Sequence, residues 1–364
     1  MYLTAPCTCT SSASSLPPCA VRPDHGGEDC LNPLESRPRW RLAVRASTLR
    51  LAARLAFSIA NSRSPSVDRV VWLDSTLGAW KGTRKIRVQV WEPLIDHALQ
   101  SQNKRPLLIN FHGGGFVLGQ GTDDARWASA AMAALGTVVF SVNYRLGPGY
   151  PFPTAVEDCA DSIVQICNRA DEFRIDTDRV ILSGFSSGGG LSLASWAVLQ
   201  DPTRWGYHLR IPALRIVGMA LFYPPLDFTL SRCEKRLSCT RPDLTLSKYL
   251  TDLFDAAYIH PPLPRTERND LRLSPGLMPE EWIDRLPPVH LCLCEYDMLL
   301  AEGVRFSERL KGRDKRVRVR MVAGEKHGWD KRPVRHPQSV SVEYNDAVKE
   351  MEDWLELANR SSLS

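Results

Sequence analysis

The stretch ILSGFSSGGG, residues 181–190, is an apolar run that ends abruptly in small residues. Val180 to Ser183 read as a buried strand, and a helical pattern runs from Ser187 to Gln200. Between them, Gly184 and Gly188 stand two residues either side of Ser186. A loose turn would use glycine as filler. A sharp strand-to-helix bend would need it at those two places, because a serine pushed out on a strained turn leaves no room for Cβ atoms beside it. The G-x-S-x-G pattern alone leaves both readings open.

The surrounding chain predicts which kind of fold holds this turn. Val67–Leu73 and Lys85–Trp91 read as an opening hairpin. Leu107–Phe111, Val138–Asn143, Val180–Gly184, Ile216–Phe222, Val289–Cys294 and Val317–Val322 read as further strands. Helical patterns fall near Asp123–Leu135, Thr154–Ala170, Ser187–Gln200, Ala301–Leu310 and Glu343–Ala358. Apolar, β-branched strands that alternate with helices predict an α/β fold: a mostly parallel eight-stranded sheet with helices on both faces. The Pro-rich stretch Pro224–Pro288 breaks the rhythm, with one helical pattern at Leu246–Ala257. It reads as an insertion above the carboxyl ends of the strands, where such sheets bind ligands.

Chemistry-bearing residues gather at those same strand ends. His112-Gly113-Gly114-Gly115-Phe116 follows the strand Leu107–Phe111. Consecutive glycines expose consecutive N–H groups, which can hold an oxyanion as it forms. A phosphate-binding loop would instead carry G-x-G-x-x-G or GK[ST] and open directly into a helix. His112 lies on the wrong side of the glycines for a base and reads as a brace for the loop. A serine nucleophile on this kind of sheet needs a carboxylate and then a histidine downstream. His327 sits in AGEKHGWD after the strand Val317–Val322, whereas His290 lies within a strand and reads as core. Asp297 sits in CEYDML one strand earlier, where it would otherwise cap a helix. Glu295, nearest the strand end, and Glu302, inside a helical pattern, are rival acids.

Composition excludes several classes. The 364 residues carry a formal net charge of +5 without a dense basic block, which speaks against nucleic acid as a partner. There are 10 cysteines but no CxxC pair, so neither a metal nor a cofactor site is read, and reduced thiols in a cytoplasmic protein are expected. No apolar run is long enough for a transmembrane helix. Residues 1–36 are rich in Ser, Thr, Pro and Cys and read as a disordered tail. Residues 37–63 read as an amphipathic helix, with Arg37, Arg39, Arg41, Arg45, Arg50, Arg54 and Arg63 between Trp40, Val44, Leu51, Leu55 and Ile59. Such a helix packs on its own domain, touches a membrane surface weakly, or serves as a transit peptide. A homodimer is a further expectation.

HGGGF, NYRLGPGYPFPTAVEDC, GFSSGGG, DLRLSPG, EYDMLLAEG and HGW appear in the order found in the hormone-sensitive-lipase-like branch of the α/β-hydrolases. Over roughly residues 66–358 the chain resembles that branch, which includes bacterial esterases, arylacetamide deacetylases and fungal carboxylesterases. The resemblance implies Ser186 as nucleophile, Asp297 as acid and His327 as base. It implies an oxyanion hole from the N–H groups of Gly113, Gly114 and Ser187, and a cap built from the N-terminal helix and residues 224–288. The expected reaction is hydrolysis of small or medium carboxylic esters, with Phe116, Phe185 and Trp127 narrowing the pocket. Relatives that do non-hydrolytic biosynthetic chemistry are an alternative. So are plant hormone receptors, which lack the histidine. Three features depart from the family pattern: Phe185 replaces an Asp, Ser187 replaces an Ala, and YRLAPE becomes Tyr144–Gly149 with glycines at 147 and 149. Such positions support a site, so changes there lower efficiency or mark a different substrate.

Overall fold

The computed structural model describes residues 32–60, 65–93, 104–331 and 338–362. Its strands are β1 (Arg69–Leu73), β2 (Ile86–Trp91), β3 (Arg105–Phe111), β4 (Val138–Asn143), β5 (Ile175–Phe185), β6 (Ile216–Phe222), β7 (Val289–Tyr296) and β8 (Val317–Lys326). The helices are α1 (Arg39–Ala60), α2 (Ala125–Leu135), α3 (Thr154–Asn168), α4 (Ala170–Phe173), α5 (Ser187–Gln200) and α6 (Arg232–Leu237). They continue with α7 (Lys248–Tyr258), α8 (Glu280–Ile283), α9 (Leu300–Gly312) and α10 (Gln338–Ser362).

One eight-stranded sheet runs in the order β1-β2-β4-β3-β5-β6-β7-β8. Strand β2 pairs antiparallel with β1 and β4, and every later pairing is parallel. This is the α/β-hydrolase sheet expected from the strand pattern. Side chains alternate across it. Leu182 joins one core with Leu193 and Phe306 from α5 and α9, whereas Ile181 joins the other with Trp127 and Trp354 from α2 and α10. Because both faces are covered, the central strands are apolar throughout rather than alternating. The register aligns Phe111 with Gly184, Gly184 with Leu221, and Phe222 with Cys292, so the carboxyl ends of β3, β5, β6 and β7 form one rim.

The insertion after β6 supplies α6, α7 and α8. Helix α1 lies against α7: Leu42 packs with Leu253 and Ala256, and Ala46 packs with Val117 and Ala257. Its opposite side, with Trp40, Val44, Leu51, Leu55 and Ile59, stays exposed. Residues 1–31 of the expected tail and 61–63 of the helical segment lie outside the described residues. Residues 32–36 correct the tail boundary. Leu34 is buried beside Leu253, Asn32 Nδ2 donates to the Asp252 carbonyl at 2.9 Å, and Glu35 pairs with Arg268 at 3.3 Å. A polar composition hid one apolar anchor, and that anchor orders the turn.

Candidate active site

Steric crowding explains the glycines of the opening stretch. A Cβ on Gly184 would lie 2.3 Å from the Gly188 carbonyl, and one on Gly188 would lie 1.9 Å from the Phe111 oxygen. Ser186 between them has φ 51 and ψ −123, a backbone geometry that costs an L-residue roughly 1–3 kcal/mol. The strain is held in place from both sides. The Ser186 N–H donates to Phe222 O at 2.8 Å, and its carbonyl accepts Gly189 N at 2.8 Å. The serine therefore sits on a rigid bend between β5 and α5.

The bend faces two loops that follow neighbouring strands. His327, just past β8, places Nε2 2.8 Å from Ser186 Oγ and Nδ1 2.6 Å from Asp297 Oδ2. Asp297, just past β7, accepts Leu299 N–H on its other oxygen at 3.0 Å. A carboxylate at Nδ1 accepts only, so the ring proton sits on Nδ1 and Nε2 is free to accept the serine hydroxyl. Asp297 is 1% exposed and His327 7%, so water does not compete strongly for these bonds.

The rival residues are committed elsewhere. Glu295 accepts the Gly324 N–H at 2.6 Å and braces a loop. Glu302 is buried against Lys235 at 2.5 Å and accepts the Leu226 N–H; burial pushes its pKa up despite the lysine. His290 is buried in β7, which lowers its pKa to about 4, and it faces Asp346 at 3.2 Å. Ser183 Oγ donates to Asn110 Oδ1 at 2.8 Å and accepts from the Trp127 indole at 3.0 Å. Ser187 Oγ is buried 3.3 Å from the Tyr144 hydroxyl.

The glycine loop closes over the bend. A Cβ on Gly113 would lie 3.0 Å from Phe185 O and 3.6 Å from Ser186 Cβ, so this backbone touches the elbow itself. The Gly113 and Gly114 N–H groups donate to no group among the described residues. Ser187 opens α5, so its N–H also lacks a partner within the helix. His112, read as a brace, touches the loop and the Tyr144 ring. Its Nδ1 bonds to the Gly113 carbonyl at 2.7 Å and its ring stacks on Tyr144 at 4.2 Å, while burial lowers its pKa.

Two of the three pocket residues need correction. Trp127 is fully buried in the α2–α10 core, and its indole is tied to Ser183. Phe185 is buried in the same core, stacked on Phe222 at 4.4 Å, with Lys331 Nζ 3.4 Å from its ring centre. Strand alternation puts residues 181, 183 and 185 on one face, which is the face that α2 covers. Phe116 does lie beside Gly113 and Gly114, stacked on Tyr258 at 3.9 Å.

Sequence reading missed a support network beneath His327. The Tyr223 ring meets the imidazole edge-on at 4.7 Å. Its hydroxyl donates to Asp330, whose other oxygen accepts the Tyr344 hydroxyl at 2.7 Å. Lys331 joins Asp330 at 2.9 Å and Asp124 at 2.6 Å. Burial alone would raise the Asp330 pKa, but Lys331 and the two hydroxyls outweigh it and hold the carboxyl below its ordinary value. The available signal was Asp330-Lys331 directly after HGW, yet Tyr223 is distant in sequence.

A model of the alpha/beta hydrolase fold family matches residues 108–331. The chain belongs to this family. Carboxylic ester hydrolase LipN of Mycobacterium tuberculosis is 31% identical over 226 residues, covering 62% of this chain and 57% of that protein. The arylesterase of Saccharolobus solfataricus is 30% identical over 231 residues, covering 62% and 69%. Lipase 2 of Moraxella sp. is 24% identical over 290 residues, covering 74% and 65%. The chain thus spans 57–69% of the length of these relatives. A solved hyperthermophilic esterase from the archaeon Pyrobaculum calidifontis shares the fold, with TM-score 0.68 and 23% identity over 89% of this chain and 93% of that one. An esterase structure from Rhizomucor miehei has TM-score 0.67 and 24% identity over 89% and 94%. The family and the esterase relatives agree with the branch read from HGGGF and GFSSGGG.

Proposed function

We propose that this α/β-hydrolase cleaves carboxylic esters of small or medium size through an acyl-enzyme. The reading rests above all on the unbroken line from Ser186 Oγ through His327 to Asp297, 2.8 Å and 2.6 Å long. Ser186 Oγ attacks the ester carbonyl carbon as His327 Nε2 takes its proton. The oxyanion lies among the N–H groups of Gly113, Gly114 and Ser187, each worth on the order of 10²–10³ in rate. The intermediate collapses, and His327 returns the proton to the departing alcohol. Water then gives a proton to His327 as it attacks the acyl carbon, and His327 returns that proton to Ser186 Oγ as the C–Oγ bond breaks and the acid leaves. Asp297 keeps the imidazole in the right tautomer throughout. These steps use side chains, backbone and water alone.

The size limit is supported by aromatic crowding next to the oxyanion loop. Phe116 stacks on Tyr258 and lies 6.1 Å from Phe228, and a Cβ on Gly115 would meet the Phe254 ring at 2.3 Å. The experiment is turnover of p-nitrophenyl acetate with fluorophosphonate labelling. Ser186→Ala should lose on the order of 10⁴–10⁶ of kcat and all labelling, with an unchanged melting temperature. No turnover by the wild-type chain would leave a binding protein on the same fold, and label mapped to Ser183 or Ser187 would refute the assignment.

A further inference from the structure

Helix α1 has two apolar faces, and the protein uses one. Leu42 and Ala46 are buried, and Leu49 packs beside Leu42. On the other side Trp40, Val44, Leu51, Leu55 and Ile59 recur at intervals of four and seven residues, which places them in a single stripe. Each is 60–66% exposed. Tyr249 of α7, 49% exposed and 6.0 Å from the Arg45 guanidinium, extends the patch onto the neighbouring helix. From Leu51 to Ile59 only Ala53 and Phe57 are even partly buried. A helical segment of that length has little stability of its own, and large exposed apolar patches mark contact sites.

Charge indicates what the stripe meets. Residues 36–67 contain seven arginines and no Asp or Glu. Arg39 and Arg50 are used inward: Arg39 donates to the Pro148 and Gly149 carbonyls, and Arg50 to those of Val117 and Gly147. Arg37, Arg41, Arg45 and Arg54 remain exposed along the helix. A second copy of α1 laid on this stripe would bring arginines against arginines. An anionic surface that takes a Trp/Leu/Ile stripe flanked by arginines, and needs no matching shape, is a lipid leaflet. No helix among the described residues is long and apolar enough to cross a membrane, so contact would be with the surface.

We propose that α1 docks this protein on anionic membranes, lying in the headgroup layer with Trp40, Val44, Leu51, Leu55 and Ile59 turned into the lipid. The other face of α1 holds the loop after the oxyanion glycines through Arg50, so docking brings that loop close to the bilayer. The inference does not depend on the reaction.

The test is flotation of the full chain with phosphatidylcholine vesicles, with and without phosphatidylserine, at low and high salt. Phosphatidylserine should raise binding and salt should lower it. Leu51→Ser, Leu55→Ser and Ile59→Ser together should lower partition at least about tenfold. Arg41→Gln, Arg45→Gln and Arg54→Gln together should lower it about 10²-fold on anionic vesicles. All six side chains are exposed, so melting temperature and turnover of a soluble ester should stay at wild-type values. Wild-type chain that stays unbound on anionic vesicles at low salt overturns the proposal, whatever the variants do. So does equal binding by both triple variants. A dimer in light scattering that both triple variants dissociate would make the stripe a self-interface and also overturn it.

Discussion

Replacing Gly188 by Ala tests whether crowding at the elbow sets the geometry of the whole site. The added methyl would lie 1.9 Å from the Phe111 oxygen and 2.7 Å from the His112 oxygen, where ordinary contact begins at 3.4 Å. About 1.5 Å of separation must therefore be found, beyond what a packed interior yields without cost. Phe111 cannot retreat freely, because it is in register with Val142 on one side and Gly184 on the other. The elbow or the glycine loop must move instead, and these carry Ser186 and Gly113. A displacement near 1 Å costs about 10²-fold in rate. Loss of one oxyanion donor costs on the order of 10²–10³. We expect kcat for p-nitrophenyl butyrate to fall by about 10²–10³. Strain of about 3 kcal/mol should lower Tm by roughly 4–5 °C in a chain of this size. Gly312→Ala, where nothing lies within 4 Å of the new methyl, should match the wild type. Rates are normalised to the fraction labelled by fluorophosphonate, so partial misfolding does not imitate the effect. A Gly188→Ala protein with kcat within about threefold of wild type would refute the steric account.

Asp297→Asn should keep the fold and lower kcat by about 10⁴, since the imidazole is then held in the wrong tautomer; Glu302→Gln should instead lower Tm with a much smaller change in kcat per labelled site. If Glu302→Gln is the severe kinetic lesion, the acid has been misassigned. Asp330→Asn removes a buried charge that serves two tyrosines and Lys331, and should destabilise by about 3 kcal/mol at neutral pH. Because the folded pKa of Asp330 is lowered, its contribution is complete above the ordinary Asp value and fades as pH falls through the folded one. Urea midpoints of wild type and variant should therefore differ by a constant amount from about pH 5 to 8 and converge below about pH 4; a constant gap at all pH values would exclude the charge as its cause. Over p-nitrophenyl esters, each methylene that fits adds about 0.8 kcal/mol, so kcat/KM should climb from acetyl to an optimum no longer than hexanoyl and then fall. A rate still rising at dodecanoyl would remove the proposed wall at Phe116, Tyr258 and Phe254.

Much of this arrangement is legible in the chain because local and global signals agree there. The ranges read for β4, β6 and α5 are those observed, since each is an apolar run or a helix with clear ends. β5 begins at Ile175 rather than Val180, because the polar run Asp176–Arg179 hid its start. β8 runs on to Lys326, since an edge strand needs no apolar alternation to stay paired. Ser186, Asp297 and His327, which the structure brings into hydrogen-bonded line, could be read as a set because each follows a recognisable strand. Phe185 was misplaced because the strand-end reading gave its position along the sheet without the face, and Trp127 because a helical pattern does not show which side of its helix meets the sheet. The pairing of Tyr223 with Asp330 was invisible because it exists only once β6 and the His327 loop are neighbours.

The departures from the family pattern fit together on the two sides of the site. Phe185 stands where the resemblance implied an acid, and a lysine nonetheless lies over it. Lys331 keeps its charge because burial, which would lower its pKa, is outweighed by Asp124 and Asp330. The aromatic face supplies the remaining attraction for the cation. Two acids hold that lysine, Asp124 just before α2 and Asp330 in the loop after His327, and Asp330 also accepts the Tyr223 hydroxyl. On the other side, a Cβ on Gly147 would lie 2.6 Å from the Ala257 carbonyl, so the glycine lets α7 settle onto the tyrosine loop. The carbonyls of that loop, at Gly147, Pro148 and Gly149, accept Arg50 and Arg39 from α1. Arg50 also bonds to Val117, three residues past Gly114. The departure at Gly147 and Gly149 is where α1 grips the body, so the helix that carries the exposed stripe is fastened to the loop that follows Gly113 and Gly114.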